Sequence, residues 1–306
     1  MISDSEHAAG GTTSFAERLA AGPVVLDGGL ATLLEAHGHD LSSELWSARL
    51  LRDDPEAIVA AHGEFFDAGA QIATTASYQA SFAGFATLGM DIPTAADLMR
   101  SSVDLARRAR DERRPDGWVA ASVGPYGAFL ADGSEFRGDY DLDVAGLRAW
   151  HRPRLDVLAE SGADVLAVET VPCLAEVEAV CAELAGTGRL AWLSLSADGE
   201  RTRAGEPLAE AWQMAADVDE IVAVGVNCCA PGDVVTALTG AAGPLVAYPN
   251  SGQGWDAVRR SWTGESAFDA GDVSSWLAAG ARLVGGCCRV GPADIAHVSE
   301  RVAAYA

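Results

Sequence analysis

The sequence predicts a single (β/α)8 TIM barrel, and three observations support this fold class. Eight short, almost uninterrupted apolar runs are spread along 306 residues, and a helical pattern or a loop follows each run. Apolar strands that alternate with helices are typical of parallel pairing, in which both faces of the sheet are covered. The length suits one large α/β barrel, and no composition shift or repeat divides residues 15–306.

The N-terminal half of the chain contributes four strands. Residues 1–14 have neither a basic start nor an apolar segment, so we expect a flexible tail and no secretory signal. Asp54 and Pro55 are typical of an N-cap and a first helical residue. The polar stretch 126–140 is too long for an ordinary connection and predicts a lid or binding loop. The predicted strands are Pro23–Gly29, Gln71–Tyr78, Trp118–Pro125 and Asp164–Pro172.

The C-terminal half contributes the other four strands and ends in a helix. Pro292 fits the first turn of that helix, where a missing N–H costs nothing. The predicted strands are Leu190–Ser196, Ile221–Cys228, Pro244–Asn250 and a run at Leu283–Val284. The longer predicted helices, with approximate ends, are Thr94–Arg113, Val144–Ser161, Leu174–Ala185, Pro207–Ala216 and Pro292–Ala304.

The charge of the chain argues against some partners. It has 44 acidic and 21 basic residues, a formal net charge of -23. Phosphate binding relies on lysine and arginine, so we expect neither nucleic acid nor an anionic membrane as a partner. A cationic substrate is compatible with this charge, although a solvated acidic surface is the simpler explanation. No apolar run approaches the roughly 20 residues of a membrane helix, and we expect a cytoplasmic protein.

Polar residues gather where the predicted strands end. In a (β/α)8 barrel all strands open on the same face, and active sites lie there. We therefore expect these side chains to converge on one mouth of the barrel. They are Asp27, Thr75, Glu169, Cys228, Asn250, Cys287 and Cys288.

Three of the six cysteines form a candidate metal site. In a chain without a secretory signal, cysteines favour metal binding or catalysis over a disulfide framework. Cys228, Cys287 and Cys288 would give Zn²⁺ three thiolates and leave one position open, as catalytic zinc sites do. Gly285 and Gly286 permit the bend that two adjacent cysteines need to reach one centre.

Two other interpretations of these cysteines stay open. They are compatible with small buried core residues. A redox pair is a further alternative, although adjacent cysteines strain a disulfide. We expect Cys229 to point away from the metal, because neighbouring side chains on a strand face opposite sides.

Eight segments of the chain together resemble the zinc-dependent homocysteine S-methyltransferases, and most closely the stand-alone enzymes that use S-methylmethionine or S-adenosylmethionine. The resemblance runs from about residue 23 to 300 in unchanged order. Cys229 departs from it, since a small hydroxyl residue is expected there. The segments are Leu26–Gly29, Thr74–Gln79, Gly124–Gly127, Asp132–Tyr140, Val168–Thr170, Gly225–Cys228, Tyr248–Gly252 and Gly285–Cys288.

The resemblance implies a barrel with one zinc ion per chain, held by Cys228, Cys287 and Cys288. It also implies that homocysteine binds near Asp27 and Glu169, whose carboxylates would pair with its ammonium group. Zinc would deprotonate the homocysteine thiol, whose free pKa is about 8.5. The sulfur would then attack the methyl group of a sulfonium donor, so we assign no catalytic base.

Further contacts to the substrates are expected from backbone and aromatic groups. Gly28 and Gly29 would offer N–H groups to the substrate carboxylate, and Thr75 and Asn250 would add polar contacts. Without the resemblance, Asp27 is equally compatible with a turn residue and Glu169 with a strand-end cap. A cationic donor favours aromatic faces, although such rings are more often part of the core. The candidates are Trp46, Tyr78, Tyr126, Phe129 and Trp255.

The sequence therefore predicts an enzyme that forms methionine from homocysteine and a sulfonium compound. One rival keeps the zinc chemistry but takes the methyl group from betaine or another onium donor. A rival of another class is a zinc- or thiol-binding barrel without turnover. The oligomeric state stays open between monomer and dimer.

Overall fold

The structure is a computed structural model that describes residues 14–40, 46–256 and 261–305. Its strands are β1 (Val24–Val25), β2 (Ile72–Thr74), β3 (Trp118–Val123), β4 (Val165–Val171), β5 (Ala191–Leu195), β6 (Ala197–Asp198), β7 (Arg201–Thr202), β8 (Ile221–Asn227), β9 (Leu245–Tyr248), β10 (Gly254–Asp256), β11 (Ser261–Thr263) and β12 (Ala281–Val284).

Its helices are α1 (Phe15–Ala21), α2 (Leu30–Ala36), α3 (Trp46–Asp53), α4 (Pro55–Asp67), α5 (Phe82–Thr87), α6 (Ile92–Arg113), α7 (Tyr126–Leu130), α8 (Val144–Ala159), α9 (Leu174–Leu184), α10 (Leu208–Ala216), α11 (Val234–Ala237), α12 (Val273–Ala278) and α13 (Pro292–Tyr305). Short 3-10 turns lie at Ser134–Phe136, Pro231–Asp233 and Ala270–Asp272.

Eight of the strands form one parallel sheet that closes on itself. Its order is β1-β12-β9-β8-β5-β4-β3-β2. A parallel bridge between Leu26 and Ile72 joins the two ends of that order. The predicted single-domain (β/α)8 barrel is confirmed, and each of the eight predicted strands contributes to it. The agreement follows from the strand sequences, which are apolar on both faces because helices cover the outside.

The core has two layers. Val24, Trp192 and Leu283 belong to an inner layer inside the barrel, whereas a larger layer lies between the strands and the helices. Helix α1 adds Phe15 and Leu19 to the inner layer, and the Phe15 ring contacts Trp118 at the start of β3. Since Trp118 marks the N-terminal end of its strand, α1 covers the end of the barrel opposite the polar strand ends.

Three segments are more ordered than the sequence predicts. The expected lid at 126–140 contains α7, which stops at Ala131 with a left-handed φ of 53°, and a 3-10 turn. The strands β6 and β7 form an antiparallel hairpin after β5, and β10 and β11 form another after β9. Both hairpins are too short to leave an alternating pattern in the sequence.

The predicted tail, residues 1–14, lies outside the described residues except for Ser14. That serine caps α1, and its side chain and Glu17 form a capping box. Among the described residues, no helix is both long and apolar enough to cross a membrane.

Candidate functional site

A cavity of about 120 Å³ opens at the carboxyl ends of the barrel strands. It brings together most of the residues that the sequence places at strand ends, and its described lining includes no lysine, arginine or histidine. The lining residues that matter below are Asp27, Gly28, Gly29, Thr75, Tyr78, Ser122, Phe136, Glu169, Thr170, Cys228, Tyr248, Gly286, Cys287 and Cys288.

The three predicted metal-binding cysteines meet in this cavity. The Sγ atom of Cys228 lies 2.9 Å from that of Cys287 and 3.9 Å from that of Cys288. All three sulfurs lie within 4.8 Å of one another. Cys228 follows β8, and the other two follow β12, so two strand ends that are separated by β9 supply the thiols.

Residues at the end of β9 hold the two cysteine segments in register. The N–H of Cys287 donates to the carbonyl of Pro249 at 2.8 Å, and the N–H of Cys228 donates to that of Tyr248 at 3.4 Å. The N–H of Cys288 donates to Oδ1 of Asn250 at 3.2 Å. Asn250 therefore supports the backbone of the cysteine pair, and the substrate contact predicted for its side chain stays a prediction.

The donor set fits a thiolate-bound metal ion. Sulfurs at about 2.3 Å from a tetrahedral ion lie about 3.8 Å apart. The 3.9 Å between Cys228 and Cys288 matches this spacing, whereas the 2.9 Å between Cys228 and Cys287 is shorter, so these two sulfurs would separate around an ion. A hydrogen bond with Cys287 that favours the protonated form raises the pKa of the Cys228 thiol, and repulsion between neighbouring thiolates raises it further. A divalent cation offsets this repulsion. Cys229 lies in the hydrophobic core and outside this cluster.

Two buried carboxyl groups face the same cavity. Asp27 is 3% exposed and its Oδ2 accepts the N–H of Thr74 at 2.7 Å. Glu169 is 7% exposed and accepts hydrogen bonds from the hydroxyl groups of Ser122 and Tyr248, the latter at 3.1 Å. Burial raises the pKa of both carboxyl groups to about 8. Since no cationic side chain lines the described cavity, the charged form of each lacks a counterion.

The two glycines after Asp27 differ from each other in whether their N–H groups are paired. The N–H of Gly29 donates to the carbonyl of Val290 at 3.0 Å, and the contact expected between this N–H and the substrate carboxylate stays a prediction. The N–H of Gly28 has no acceptor among the described residues. The Thr75 side chain is also engaged, because its Oγ1 accepts the N–H of Ser122 at 3.0 Å and lies 2.7 Å from Oγ of Ser77.

Among the predicted donor-binding aromatics, Tyr78 lines the cavity. The rings of Tyr126 and Phe129 instead pack against Trp150 of α8, with centroids 5.2 and 6.1 Å away. Their contact with the donor stays a prediction. The described lining of the cavity contains Phe136 and neither of these two residues. The side chains of Trp46 and Trp255 lie outside the described part of the chain.

The sequence did not predict a set of buried polar residues at the wall of the cavity and next to it. Tyr248 accepts the indole N–H of Trp192 at 3.0 Å, and its hydroxyl lies 2.6 Å from that of Ser194. Ser194 donates to Oδ1 of Asn227 at 2.9 Å. The available signal was a serine inside each of the apolar strands β3 and β5, namely Ser122 and Ser194, where a hydroxyl needs a partner.

Comparison with known proteins agrees with this geometry. The family model described as homocysteine S-methyltransferase matches residues 24–302. The homocysteine S-methyltransferase of Escherichia coli is 46% identical over 91% of this chain and 94% of its own length. The homocysteine S-methyltransferase YbgG of Bacillus subtilis is 41% identical over 90% of this chain and 93% of its own.

A solved structure has the same fold over nearly its whole length. The homocysteine methyltransferase MmuM from Escherichia coli, in its metallated form, superimposes with a TM-score of 0.82 at 44% identity. The match covers 91% of this chain and 96% of that one. With a family model and relatives that span almost the entire barrel, this chain belongs to the homocysteine S-methyltransferase family.

Proposed function

We propose that this protein transfers a methyl group from a sulfonium donor to the sulfur of homocysteine and so forms methionine. The main support for the proposal is that one cavity at the barrel mouth contains both a cluster of thiols and a pair of carboxyl groups. Three thiols, those of Cys228, Cys287 and Cys288, share a cavity with the buried carboxyl groups of Asp27 and Glu169. The thiols suit a metal that activates sulfur, and the carboxyl groups suit an amino acid.

The three cysteines would hold one zinc ion. Zn²⁺ binds thiolate sulfur, and a site with three protein ligands keeps one position for substrate. When bound, zinc supplies the Lewis acidity that makes a thiol at that position a thiolate at neutral pH. The metallated form of the Escherichia coli relative supports a metal ion in this family.

Asp27 and Glu169 would bind the ammonium group of homocysteine. A substrate cation gives these buried carboxylates the counterion that the cavity lining lacks, and charged hydrogen bonds of this kind are the stronger ones. The free N–H of Gly28 would donate to the substrate carboxylate. Held at these points, the substrate would direct its sulfur toward the three thiols.

The donor would bind against the aromatic side of the cavity. A sulfonium group is a cation, and the faces of Tyr78 and Phe136 attract cations. The homocysteine sulfur forms a bond to the methyl carbon while the bond from that carbon to the sulfonium sulfur breaks. The departing sulfur keeps the electron pair. A thiolate and a sulfonium thus become two neutral thioethers, and the chain's task is to align them.

Metal analysis combined with a donor panel tests this function. Wild-type protein and the variants Cys287→Ser and Cys181→Ser would be assayed for zinc content and for methionine formation. The donors would be S-methylmethionine, S-adenosylmethionine and betaine. We expect about one zinc per chain and activity with a sulfonium donor, both lost together in Cys287→Ser. The Cys181 thiol lies on α9 outside the cluster, so its variant should retain both.

Three outcomes would contradict the proposal in different ways. Full activity in metal-free protein would remove the role of the cysteines. Methionine formation with betaine alone would keep the acceptor and replace the donor. Homocysteine binding without turnover by any donor would favour a thiol-binding barrel instead of an enzyme.

A further inference from the structure

Left-handed backbone gathers at the candidate site. In the described chain, four non-glycine residues have such a φ, and three of them lie at the site. Thr170, at 63°, directly follows Glu169; Cys228 is at 48°; and Arg289, at 65°, directly follows Cys288. The conformation is especially unfavourable for a β-branched residue such as threonine, so the surrounding structure must hold it in place.

The side chain of Asn227 holds Thr170 in this conformation. The N–H of Thr170 donates to Oδ1 of Asn227 at 2.7 Å, and Nδ2 of Asn227 donates back to Oγ1 of Thr170, also at 2.7 Å. Both residues are buried. The two bonds fix which end of the amide faces which atom, because only the oxygen accepts an N–H and only the nitrogen donates.

The sheet explains why Thr170 needs this partner. The register between β4 and β5 shifts between Val168 and Val171, so Glu169 and Thr170 form an irregularity in the ladder. Residues at such a bulge lose their ladder partner, and bulges near active sites re-aim side chains. Asn227 replaces the missing acceptor from β8, which lies on the other side of β5. Ser194 of β5 completes the bridge by donating to the same oxygen at 2.9 Å.

This bridge joins the two parts of the site that act on one substrate. Asn227 is adjacent in sequence to Cys228, whose backbone is itself left-handed, and Thr170 is adjacent to Glu169. Homocysteine has a fixed number of bonds between its nitrogen and its sulfur, so the distance between the carboxylate and the thiol must match. A residue that ties both backbones together sets that distance.

We propose that Asn227 is a positioning residue that fixes the carboxylate of Glu169 relative to the thiol of Cys228, and so determines how tightly homocysteine binds. This inference rests on the proposed function, since it assumes that both groups contact the same substrate. Asn227 does not line the cavity, so it acts through its neighbours.

The test compares Asn227→Ala with Ser102→Ala, a control that also removes a buried hydrogen bond, in helix α6 away from the cavity. We expect Asn227→Ala to raise KM for homocysteine by roughly 10- to 100-fold, the usual scale for loss of a residue that orients a binding group. Because a lost binding contact raises KM without lowering kcat, kcat should change less than about 3-fold. Ser102→Ala should leave KM unchanged. A fall in kcat with unchanged KM would indicate a merely structural role and overturn the proposal.

A second readout does not depend on turnover. Protein loaded with Co²⁺ would be titrated with homocysteine while the thiolate-to-metal absorption is recorded. We expect Asn227→Ala to bind Co²⁺ with the wild-type absorption but to need at least about 10-fold more homocysteine for the same spectral change. An equal homocysteine affinity in both proteins would overturn the proposal. If the wild type binds homocysteine but transfers no methyl group, the proposed function fails while this comparison still decides the role of Asn227.

Two conservative variants cover the case in which Asn227→Ala does not fold. Thr170→Val keeps the shape of the side chain and removes the hydroxyl, which accepts from Nδ2 of Asn227 and also hydrogen-bonds with Tyr78. Thr170→Ser keeps that hydroxyl. We expect a weaker homocysteine affinity in Thr170→Val and recovery toward wild type in Thr170→Ser. Equal affinities in the two variants would contradict the bridge.

Discussion

At the scale of single residues, the two carboxyl groups of the cavity are buried without a cationic partner in the described lining. Asp27 and Glu169 are buried, and burial raises the pKa of each to about 8. At neutral pH the free protein therefore holds them largely protonated, and a bound ammonium group shifts them toward the charged form. Substrate binding and proton release at these residues are coupled.

The raised pKa of these buried carboxyl groups also predicts how the free energy of unfolding depends on pH. The pKa of Glu169 rises from 4.5 to about 8 on folding, so its contribution is fully present below pH 4.5 and is lost as the pH rises through 8. The melting temperature of substrate-free protein should therefore fall from pH 5 to 8.5, and it should fall less in Glu169→Gln. Thermal melts of both proteins across this range measure the difference. Glu265→Gln, at an exposed position, should follow the wild type; parallel curves for Glu169→Gln would contradict the prediction.

The sequence locates the polar strand ends but not the side-chain directions. Cys228, Cys287 and Glu169 could be placed in one mouth because barrel topology brings strand ends together. The side chains of Tyr126 and Phe129 could not be placed in this way. They lie on one short helix, and its sequence does not show which helix face points toward the cavity. The structure turns their rings toward Trp150 and places Phe136 at the cavity instead.

At the scale of elements, the segment after β12 positions the cysteine pair by close packing. A Cβ on Gly286 would lie 2.1 Å from Cγ1 of Val290, and one on Gly285 would lie 2.7 Å from the carbonyl of Asp27. Neither glycine has a positive φ. These two positions thus require glycine because a side chain would clash with neighbouring atoms. They do not require it for a backbone conformation that other residues avoid.

Gly286→Ala should therefore destabilise the protein and loosen the metal site. Overpacking of this kind costs about 1–3 kcal/mol, and the methyl group would displace Val290 and the adjacent Cys287. Urea unfolding measures the stability, and metal analysis after dialysis measures the retained zinc. Gly232→Ala is the matched control, because its Cβ would meet nothing within 4 Å. Equal zinc content in the two variants would contradict this account of how the segment works.

At the scale of the whole molecule, the sequence predicts the eight-stranded barrel but not the helix that covers one of its ends. Eight apolar runs suffice for the closed sheet, because each strand is covered on both sides. Helix α1, which adds Phe15 and Leu19 to the barrel interior, is only 7 residues long. A helix of one or two turns is too short to show a clear hydrophobic period in the sequence. The position of α1 at the end of the barrel is therefore known only from the structure.

The metal site also connects distant parts of the chain. Cys228 and Cys287 are 59 residues apart, and they extend from β8 and β12, with β9 between them. An ion bound to both ties these strand ends across the barrel mouth. Because the site is assembled by the folded barrel, binding free energy at the site adds to the free energy of unfolding.

Chelation should consequently lower the melting temperature of the wild type. A ligand present at 1,000 times its Kd stabilises the folded state by about 4 kcal/mol, which is worth several degrees in a chain of this size. Scanning calorimetry with and without a chelator measures the shift. Cys288→Ser removes one of the three thiols and should begin at the lower temperature and respond little to the chelator. Cys181→Ser leaves the three thiols intact and should show the full wild-type shift even if its own melting temperature differs. An equal response in Cys288→Ser would mean that the chelator acts elsewhere, and the stabilising link across the barrel mouth would have to be abandoned.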